Sequence, residues 1–256
     1  MAIAACLLWL GSWLVLSGVV TRTADRIHYG VLDISANLGF TVENILVEGR
    51  RYADPQTIKA ITNVQRGDPL FSFDPFAAQD LIEKLSWVKG AHVERRLPDT
   101  IYIRIEERVP LALWQRKNSL FLIDEEGVVV TDRNLSRFRD LAVLTGQDAP
   151  QEAANLFALL QAEPQIHNRV EGASFIAGRR WNIALKSGVL LKLPGEDFAL
   201  ALRRLVQAHE EEGLLDTHNS IIDMRELDRI TVRTKPEESL EYKAVFQPSS
   251  DSKEGI

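Results

Sequence analysis

Residues able to bind metals or transfer protons are spread thinly along this sequence. Its five histidines have no metal-ligand spacing and are His28, His92, His167, His209 and His218. Residues Asp124–Gly127 place three carboxylates in one predicted turn, but a calcium loop supplies more ligands than such a turn can. We therefore predict no metal site. Each histidine is interpreted as a polar residue without a catalytic role, and the acidic turn as a solvated hairpin tip.

Motifs for covalent catalysis and phosphate binding are also missing. The sequence has no Gly-rich loop ending in Lys-Ser/Thr, no G-x-S-x-G elbow and no H-E-x-x-H helix. Its single cysteine, Cys6, excludes an intramolecular disulfide and lies in an apolar run. We interpret Cys6 as an apolar residue, with lipidation as the alternative. The sequence predicts a protein without enzymatic activity and without a cofactor.

The distribution of charge argues against a nucleic-acid-binding protein. The 256 residues carry a net charge of −6, and 45% of them are hydrophobic. Coating nucleic acid requires a positive surface that neutralises phosphates. The arginine pairs are dispersed and are interpreted as solvated faces and strand ends: Arg50-Arg51, Arg95-Arg96, Arg179-Arg180 and Arg203-Arg204. The class that remains is a protein that binds other proteins.

The chain begins with a segment that predicts a membrane anchor. Ala2–Val20 is apolar or small and carries no charge, and at about 1.5 Å per residue it just spans a hydrocarbon core of roughly 30 Å. We predict a single transmembrane helix at residues 1–21. A secretory signal peptide is the disfavoured alternative, since no basic residue precedes the run. Arg22 and Arg26 follow it, so the positive-inside rule alone would leave the bulk of the chain in the cytoplasm.

Residues 22–38 predict an amphipathic helix or linker. Its apolar residues recur at helical spacing and are Ile27, Val31, Ile34 and Leu38. We favour a spacer packed on the next domain over a helix that binds the membrane surface, which would carry more Lys and Arg.

Residues 39–113 predict a small β-α-α-β-β domain. Thr41–Glu48 favours a strand, and Asp54-Pro55 and Asp74-Pro75 each combine an N-cap with the proline that suits a first helical turn. A second strand surrounds Val93. The third is indicated by the alternation of Ile101, Ile103 and Ile105 with polar residues. Two helices on one face of three strands would bury this apolar set, and the sheet edges could accept a partner strand.

Residues 114–246 predict a β-rich domain with two helices packed on a mostly antiparallel sheet, and residues 247–256 predict a disordered tail. The strongest hairpin joins Trp181–Leu185 to Val189–Leu193 through a turn containing Gly188. The predicted helices are Ala153–Ala162 and Glu196–His209. The last predicted strands are Ser220–Met224 and Arg229–Arg233. The fold class is therefore α+β.

Several of these segments, in this order, resemble the FtsQ (DivIB) bacterial cell-division family. The first domain resembles the family's POTRA domain through Ile45–Gly49, Leu85–Val88, Val93–Asp99 and Ile105–Trp114. The second resembles its β domain through Asp124–Gly127, Arg180–Leu185 and Ile222–Arg225. The run from Ile105 to Trp114 is moderately specific by itself, and the order of all the segments is more so.

The resemblance implies a single-pass inner-membrane protein of type II, with its bulk in the periplasm, that acts as a scaffold at the division septum. It implies binding of FtsB, in complex with FtsL, by strand addition at the late β-domain edge, and recruitment through the POTRA domain. It implies no cofactor and no small-molecule substrate.

Carried over by motif, the partner-binding edge comprises Arg225, Arg229, Ile230, Thr231, Val232 and Arg233. Ile230 and Val232 would supply apolar contacts to the partner, or else pack into this chain's own core. Arg225 would bind a partner carboxylate, or else form a surface salt bridge. A second, weaker candidate is the edge of the POTRA strand that carries Arg104, Glu106 and Arg108.

Two other functions fit the sequence less well. A chaperone-like POTRA module of an outer-membrane assembly or secretion system would continue into a β-barrel, whose alternating segments the chain after Trp114 lacks. An exported enzyme with an unrecognised site would require motifs that are missing.

Overall fold

The computed structural model describes residues 30, 32–216, 219–226 and 228–234. The chain forms two units that divide between Arg108 and Val109. No helix among the described residues is long and apolar enough to cross a membrane. The predicted anchor and the predicted tail lie outside the described residues, as does most of the predicted linker. Its end, residues 32–37, is helical.

The first unit has the β-α-α-β-β order that the sequence predicts. Its elements are β1 (Asn44–Glu48), α1 (Pro55–Thr62), a 3-10 turn (Leu70–Ser72), α2 (Pro75–Ile82), β2 (Val88–Arg96) and β3 (Thr100–Glu107). The sheet order is β1-β3-β2, with β1 parallel and β2 antiparallel to β3.

Local capping starts both helices at the predicted residues. The Asp54 carboxylate accepts the Thr57 backbone N–H at 2.9 Å, and Pro55 follows it. Asp74 accepts the Phe76 N–H at 3.0 Å and the Ala77 N–H at 3.3 Å. These bonds satisfy N–H groups that have no partner inside the helix. The predicted N-caps are therefore confirmed.

The helices bury the apolar side of the first sheet. Ile58 of α1 and Ile82 of α2 pack into one core with the central-strand residues Ile101, Ile103 and Ile105. The other side of β3 carries Tyr102, Arg104 and Glu106. This alternation gives one dry and one polar face, as predicted.

The second unit is built on one long mixed sheet. Its strands are β4 (Pro110–Arg116), β5 (Ser119–Asp124), β6 (Val129–Thr131), β7 (Val143–Thr145), β8 (Val170–Ile176), β9 (Arg180–Leu185), β10 (Leu190–Lys192), β11 (Asn219–Asp223) and β12 (Thr231–Thr234). Its helices are α3 (Ala149–Gln161), the single turn α4 (Pro164–His167) and α5 (Phe198–Glu212), with a 3-10 turn at Leu135–Phe138.

The nine strands are ordered β12-β11-β10-β9-β8-β7-β4-β5-β6. The pairs β4–β7, β7–β8 and β10–β11 are parallel and the other five pairs are antiparallel. The predicted β9–β10 hairpin and the mostly antiparallel sheet are therefore confirmed. The core joins α3 and α5 to the sheet through Leu156, Leu202, Ile183 and Ile222.

Three details differ from the sequence prediction. Strand β4 pairs with β5 and β7, so Pro110–Leu113 belongs to the second sheet and the unit boundary lies earlier than residue 113. The Asp124 side chain is buried rather than solvated. Its carboxylate accepts hydrogen bonds from the Glu126 and Val128 N–H groups at 2.9 and 2.8 Å. A third helix, the single turn α4, was not predicted.

Candidate partner-binding edge

The candidate site lies where the nine-stranded sheet ends at β12. Strand β11 is held between β10, which is parallel to it, and β12, which is antiparallel. The Met224 N–H donates to Lys192 O at 2.8 Å, so pairing with β10 continues just past β11. Within the part of the chain that the structure describes, no strand pairs with the outer side of β12.

Strand β12 exposes every side chain along its length. Val232, opposite Ile222, is 39% exposed, whereas Ile222 is fully buried. The Ser220 hydroxyl donates to Arg233 O at 2.9 Å and ties the strand to β11. Within the described residues, β11 therefore pairs with one side of β12 and the other side of β12 has no paired strand.

Ile230 differs from the predicted assignment. The predicted strand Arg229–Arg233 is observed as Thr231–Thr234, so Ile230 precedes β12. Ile230 is half-buried and packs against the core of the second unit. Ile230 therefore contacts this chain's own core, whereas Val232 is exposed, and contact of either residue with a partner stays a prediction.

Arg225 is already paired within the chain. Its Nε donates to both Asp223 oxygens at 2.8 and 3.0 Å, and its Nη2 donates to Oδ2 at 2.6 Å. These hydrogen bonds lower the pKa of Asp223 and raise that of Arg225. The Arg225 guanidinium therefore lies against Asp223, immediately after β11.

A pocket of about 430 Å³ collects charged side chains beside the first residue of β12. It is lined by Arg180, Asp223, Arg225, Glu226, Arg229 and Thr231. Arg229 forms an ion pair with Glu226 three residues earlier. The Arg180 Nε is buried and has no hydrogen-bond partner among the described residues. The pocket therefore contains three guanidinium groups against two carboxylates.

Arg180 is the site residue that the sequence analysis missed. It was interpreted as part of a dispersed set, because it lies far from Arg225 in the chain. The β9–β10 hairpin and the parallel pairing of β10 with β11 place the two at one pocket. The β9–β10 hairpin is predictable from its local turn. The parallel pairing of β10 with β11, which are connected through α5, is not.

A second groove, of about 310 Å³, lies between α5 and the segment that connects β11 to β12. Its α5 wall includes Arg204 and Gln207, and its other wall includes Met224 and Ile230. This groove extends the candidate site from the strand edge toward the helix.

The second candidate edge, in the first unit, is not an edge. Arg104 and Glu106 lie on β3, which is the central strand and is paired on both sides. Arg108 follows β3, and its N–H donates to Trp87 O at 2.9 Å. The prediction that these residues lie at a sheet edge is wrong, because β1 pairs with the far side of β3.

Arg104 instead belongs to a polar network on the face of that sheet opposite α1 and α2. Its Nε donates to the Tyr102 hydroxyl at 3.1 Å, and that hydroxyl donates to Glu48 at 2.6 Å. The hydrogen bond to Tyr102 raises the pKa of Arg104. Arg96 covers the Tyr102 ring, with its guanidinium 3.4 Å from the ring centroid.

Metal binding has no support in the described part of the chain. No group of three or more His, Cys, Asp or Glu residues is placed there to hold an ion.

Comparison with known proteins agrees with this architecture. A family model described as "POTRA domain, FtsQ-type" matches residues 40–108, and one described as "Cell division protein FtsQ/DivIB, C-terminal" matches residues 112–225. The cell division protein FtsQ of Rickettsia conorii is 33% identical over 83% of this chain and 78% of its own length. That of Caulobacter vibrioides is 31% identical over 88% and 76%. A solved extracytoplasmic domain of DivIB from Geobacillus stearothermophilus aligns with a TM-score of 0.31 and 16% identity over 42% of this chain and 96% of that one.

Proposed function

Because this chain belongs to the FtsQ/DivIB family of bacterial cell-division proteins, we propose that it is a divisome scaffold that binds its partner by adding a strand to β12. The proposed partner is FtsB in complex with FtsL. The first unit, the POTRA domain, is proposed to recruit the protein to the septum. The proposed location is the inner membrane, as a single-pass type II protein with its bulk in the periplasm.

The observation that carries the proposal is the position and exposure of β12. A strand at the end of a sheet presents backbone N–H and C=O groups that a partner strand can complete. Main-chain pairing of this kind supplies affinity, and pockets for alternate side chains supply specificity. Val232 offers an exposed apolar contact in the middle of the strand.

The pocket beside Thr231 supports a specific partner chemistry. Arg225 and Arg229 have carboxylate partners within the chain, whereas the Arg180 Nε has none among the described residues. A carboxylate that enters this pocket would meet complementary charge and form a charge-assisted hydrogen bond, because its lining has three guanidinium groups against two carboxylates. We propose that the incoming strand carries an acidic residue at the position that meets this pocket.

The test of strand addition uses two exposed valines at opposite ends of the same sheet. Val232 on β12 is 39% exposed and Val129 on β6 is 40% exposed. Each is replaced by glutamate in the full chain, and binding to the FtsB–FtsL complex of the same organism is measured. We expect Val232→Glu to weaken binding roughly tenfold or more, because it places a charge in the new interface. Val129→Glu should bind normally.

Circular dichroism of both variants checks that the fold is intact. Unchanged binding by a folded Val232→Glu protein, or equal loss in both variants, would overturn the proposed edge. Ile230 is a poor test position, because it packs against the core and its replacement would disturb folding.

The acidic contact is tested separately with neighbouring arginines. Arg180→Ala should weaken binding, and Arg179→Ala, which alters an exposed arginine outside the pocket at β12, should not. Equal binding by the two variants would remove the acidic residue from the proposal but leave strand addition in place.

A further inference from the structure

A groove of about 770 Å³ runs along the first unit between β1 and α1. Its floor is apolar and includes Ile45 and Val47 of β1, Ile58 of α1 and Ile103 of β3. Ile45 and Val47 face the core side of the sheet but remain half-exposed. Helix α1 therefore leaves part of the apolar side of β1 uncovered.

The groove runs beside the free edge of a strand. Strand β1 pairs with β3 on one side, and no described strand pairs with its other side. An added strand would lie about 4.8 Å from β1 and would direct alternate side chains toward the groove floor. The available length is set by β1 itself, which has five residues and ends before Gly49.

Gly49 fixes the end of that edge. Its φ is +81°, and a Cβ at this position would lie 2.0 Å from Ile105 O. The chain turns away from the sheet there, and the turn requires glycine because another side chain would fit neither this φ nor this close backbone approach. The open edge is therefore a short, defined segment.

The rim of the groove is positively charged. Lys59 and Arg66 line it, both are exposed, and neither forms an ion pair with any described residue. The other polar residues of the lining are neutral, so no carboxylate of the lining balances these charges. An occupant that carries carboxylates would find complementary charge here.

We propose that this groove binds an extended segment of a partner protein in which every second residue faces the groove, the central ones apolar and the outer ones acidic. The segment adds to β1 as a fourth strand, places its apolar residues over Ile45 and Val47, and pairs its carboxylates with Lys59 and Arg66. This proposal deepens the recruitment role proposed for the first unit, and rests on it, by naming a surface and a partner chemistry. It concerns a different unit from the proposed β12 site.

The test uses the purified full chain and a labelled peptide with two central valines and a glutamate on either side at every second position and threonine between them, so that valines and glutamates share one face of the strand. Fluorescence anisotropy should detect binding of this peptide and not of a matched peptide with lysine in place of both glutamates. Two further versions of the peptide carry N-methyl groups, one at the odd-numbered residues and one at the even-numbered residues. Only one of them should lose binding, because strand addition uses only the N–H groups that point toward β1. Hydrogen exchange should show protection at residues 44–48.

Charge reversal supplies the matched control. The double variant Lys59→Glu, Arg66→Glu should bind the acidic peptide roughly tenfold more weakly, since two attractions become repulsions. Lys84→Glu reverses an exposed lysine that does not line the groove and should bind normally. Equal affinity for the lysine peptide, or an effect of Lys84→Glu as large as that of the double variant, would overturn the proposal.

Failure here is distinguishable from failure of the β12 proposal. Val232→Glu should leave peptide binding and protection of residues 44–48 unchanged, while the double groove variant should bind FtsB–FtsL normally. Peptide protection found at residues 231–234 instead would reject the β1 groove and retain the β12 edge.

Discussion

At the scale of single residues, the run from Ile105 to Trp114 has a structural explanation. The Glu107 carboxylate accepts the backbone N–H groups of Arg51, Tyr52 and Ala53 at 2.8, 2.8 and 2.7 Å. It thereby holds the loop that leads into α1. Trp114 Nε1 donates to Gly146 O at 2.9 Å in the second unit. Each of these two side chains forms hydrogen bonds with backbone groups that are distant in the sequence.

Removing the Glu107 carboxylate should destabilise the first unit. Glu107→Ala leaves three N–H groups without their acceptor, and loss of hydrogen bonds to a charged group costs about 1.5–3 kcal/mol. Native-state hydrogen exchange at the amides of β3 measures this free energy of opening. Glu106→Ala removes the adjacent, exposed carboxylate and should change it by less than about 0.5 kcal/mol. Equal losses in the two variants would contradict the role assigned to Glu107.

Asp223 should make the second unit sensitive to acid. Hydrogen bonds from Arg225 lower the pKa of Asp223 in the folded protein. The folded state therefore binds this proton less readily than the unfolded chain. The resulting stability is present above the unfolded aspartate pKa of about 3.9 and is lost as the pH falls through the lower folded value.

Asp223→Asn should abolish that contribution. Compared with the native chain, the variant should be less stable at pH 7 and should lose less stability between pH 5 and pH 3, as measured by urea unfolding. Asp140→Asn changes an exposed aspartate that has no ion pair among the described residues, and it should retain the acid dependence of the native chain. A native-like acid dependence in Asp223→Asn would refute the coupling to Arg225.

At the scale of elements, helix starts illustrate what local sequence determines. Asp74→Ala should destabilise the first unit by about 1 kcal/mol, because it removes the acceptor for the Phe76 and Ala77 N–H groups at the start of α2. Asp80→Ala, late in the same helix, removes an exposed aspartate that caps nothing and should be neutral or slightly stabilising. Hydrogen exchange of α2 amides distinguishes the two, and a neutral Asp74→Ala would contradict the capping role.

Strand neighbours were less predictable than strands. Alternation places Ile101, Ile103 and Ile105 on the buried face, but it does not say that β1 pairs with the far side of β3. The sequence therefore assigned Arg104 and Glu106 to an edge that is in fact central. The β9–β10 hairpin was predictable because its turn is local. The parallel pairing of β10 with β11 crosses α5 and brings Arg180 to Arg225, a contact that no local signal predicts.

At the scale of the whole molecule, both units end their sheets in a free strand within the described residues. Strands β1 and β12 each combine an open backbone edge with nearby guanidinium or ammonium groups. A free strand edge is a surface that a partner strand can complete, and the two proposals assign this use to β1 and β12. The chain's net charge of −6 makes these positive sites local features rather than a general property of the surface.

The proposed topology places both of these edges on the periplasmic side, and the single cysteine makes this measurable. In a Cys6→Ser background, a cysteine at Phe76, which is 80% exposed, labels the first unit, and one at the exposed Lys117 labels the second. Cells with a permeabilised outer membrane are treated with a membrane-impermeant maleimide. Both positions should react before the inner membrane is disrupted, because thiols react where the reagent can reach them. A cytoplasmic cysteine protein in the same cells should react only after disruption. If Phe76→Cys and Lys117→Cys follow that cytoplasmic control, both edges face the cytoplasm and cannot meet periplasmic partner strands.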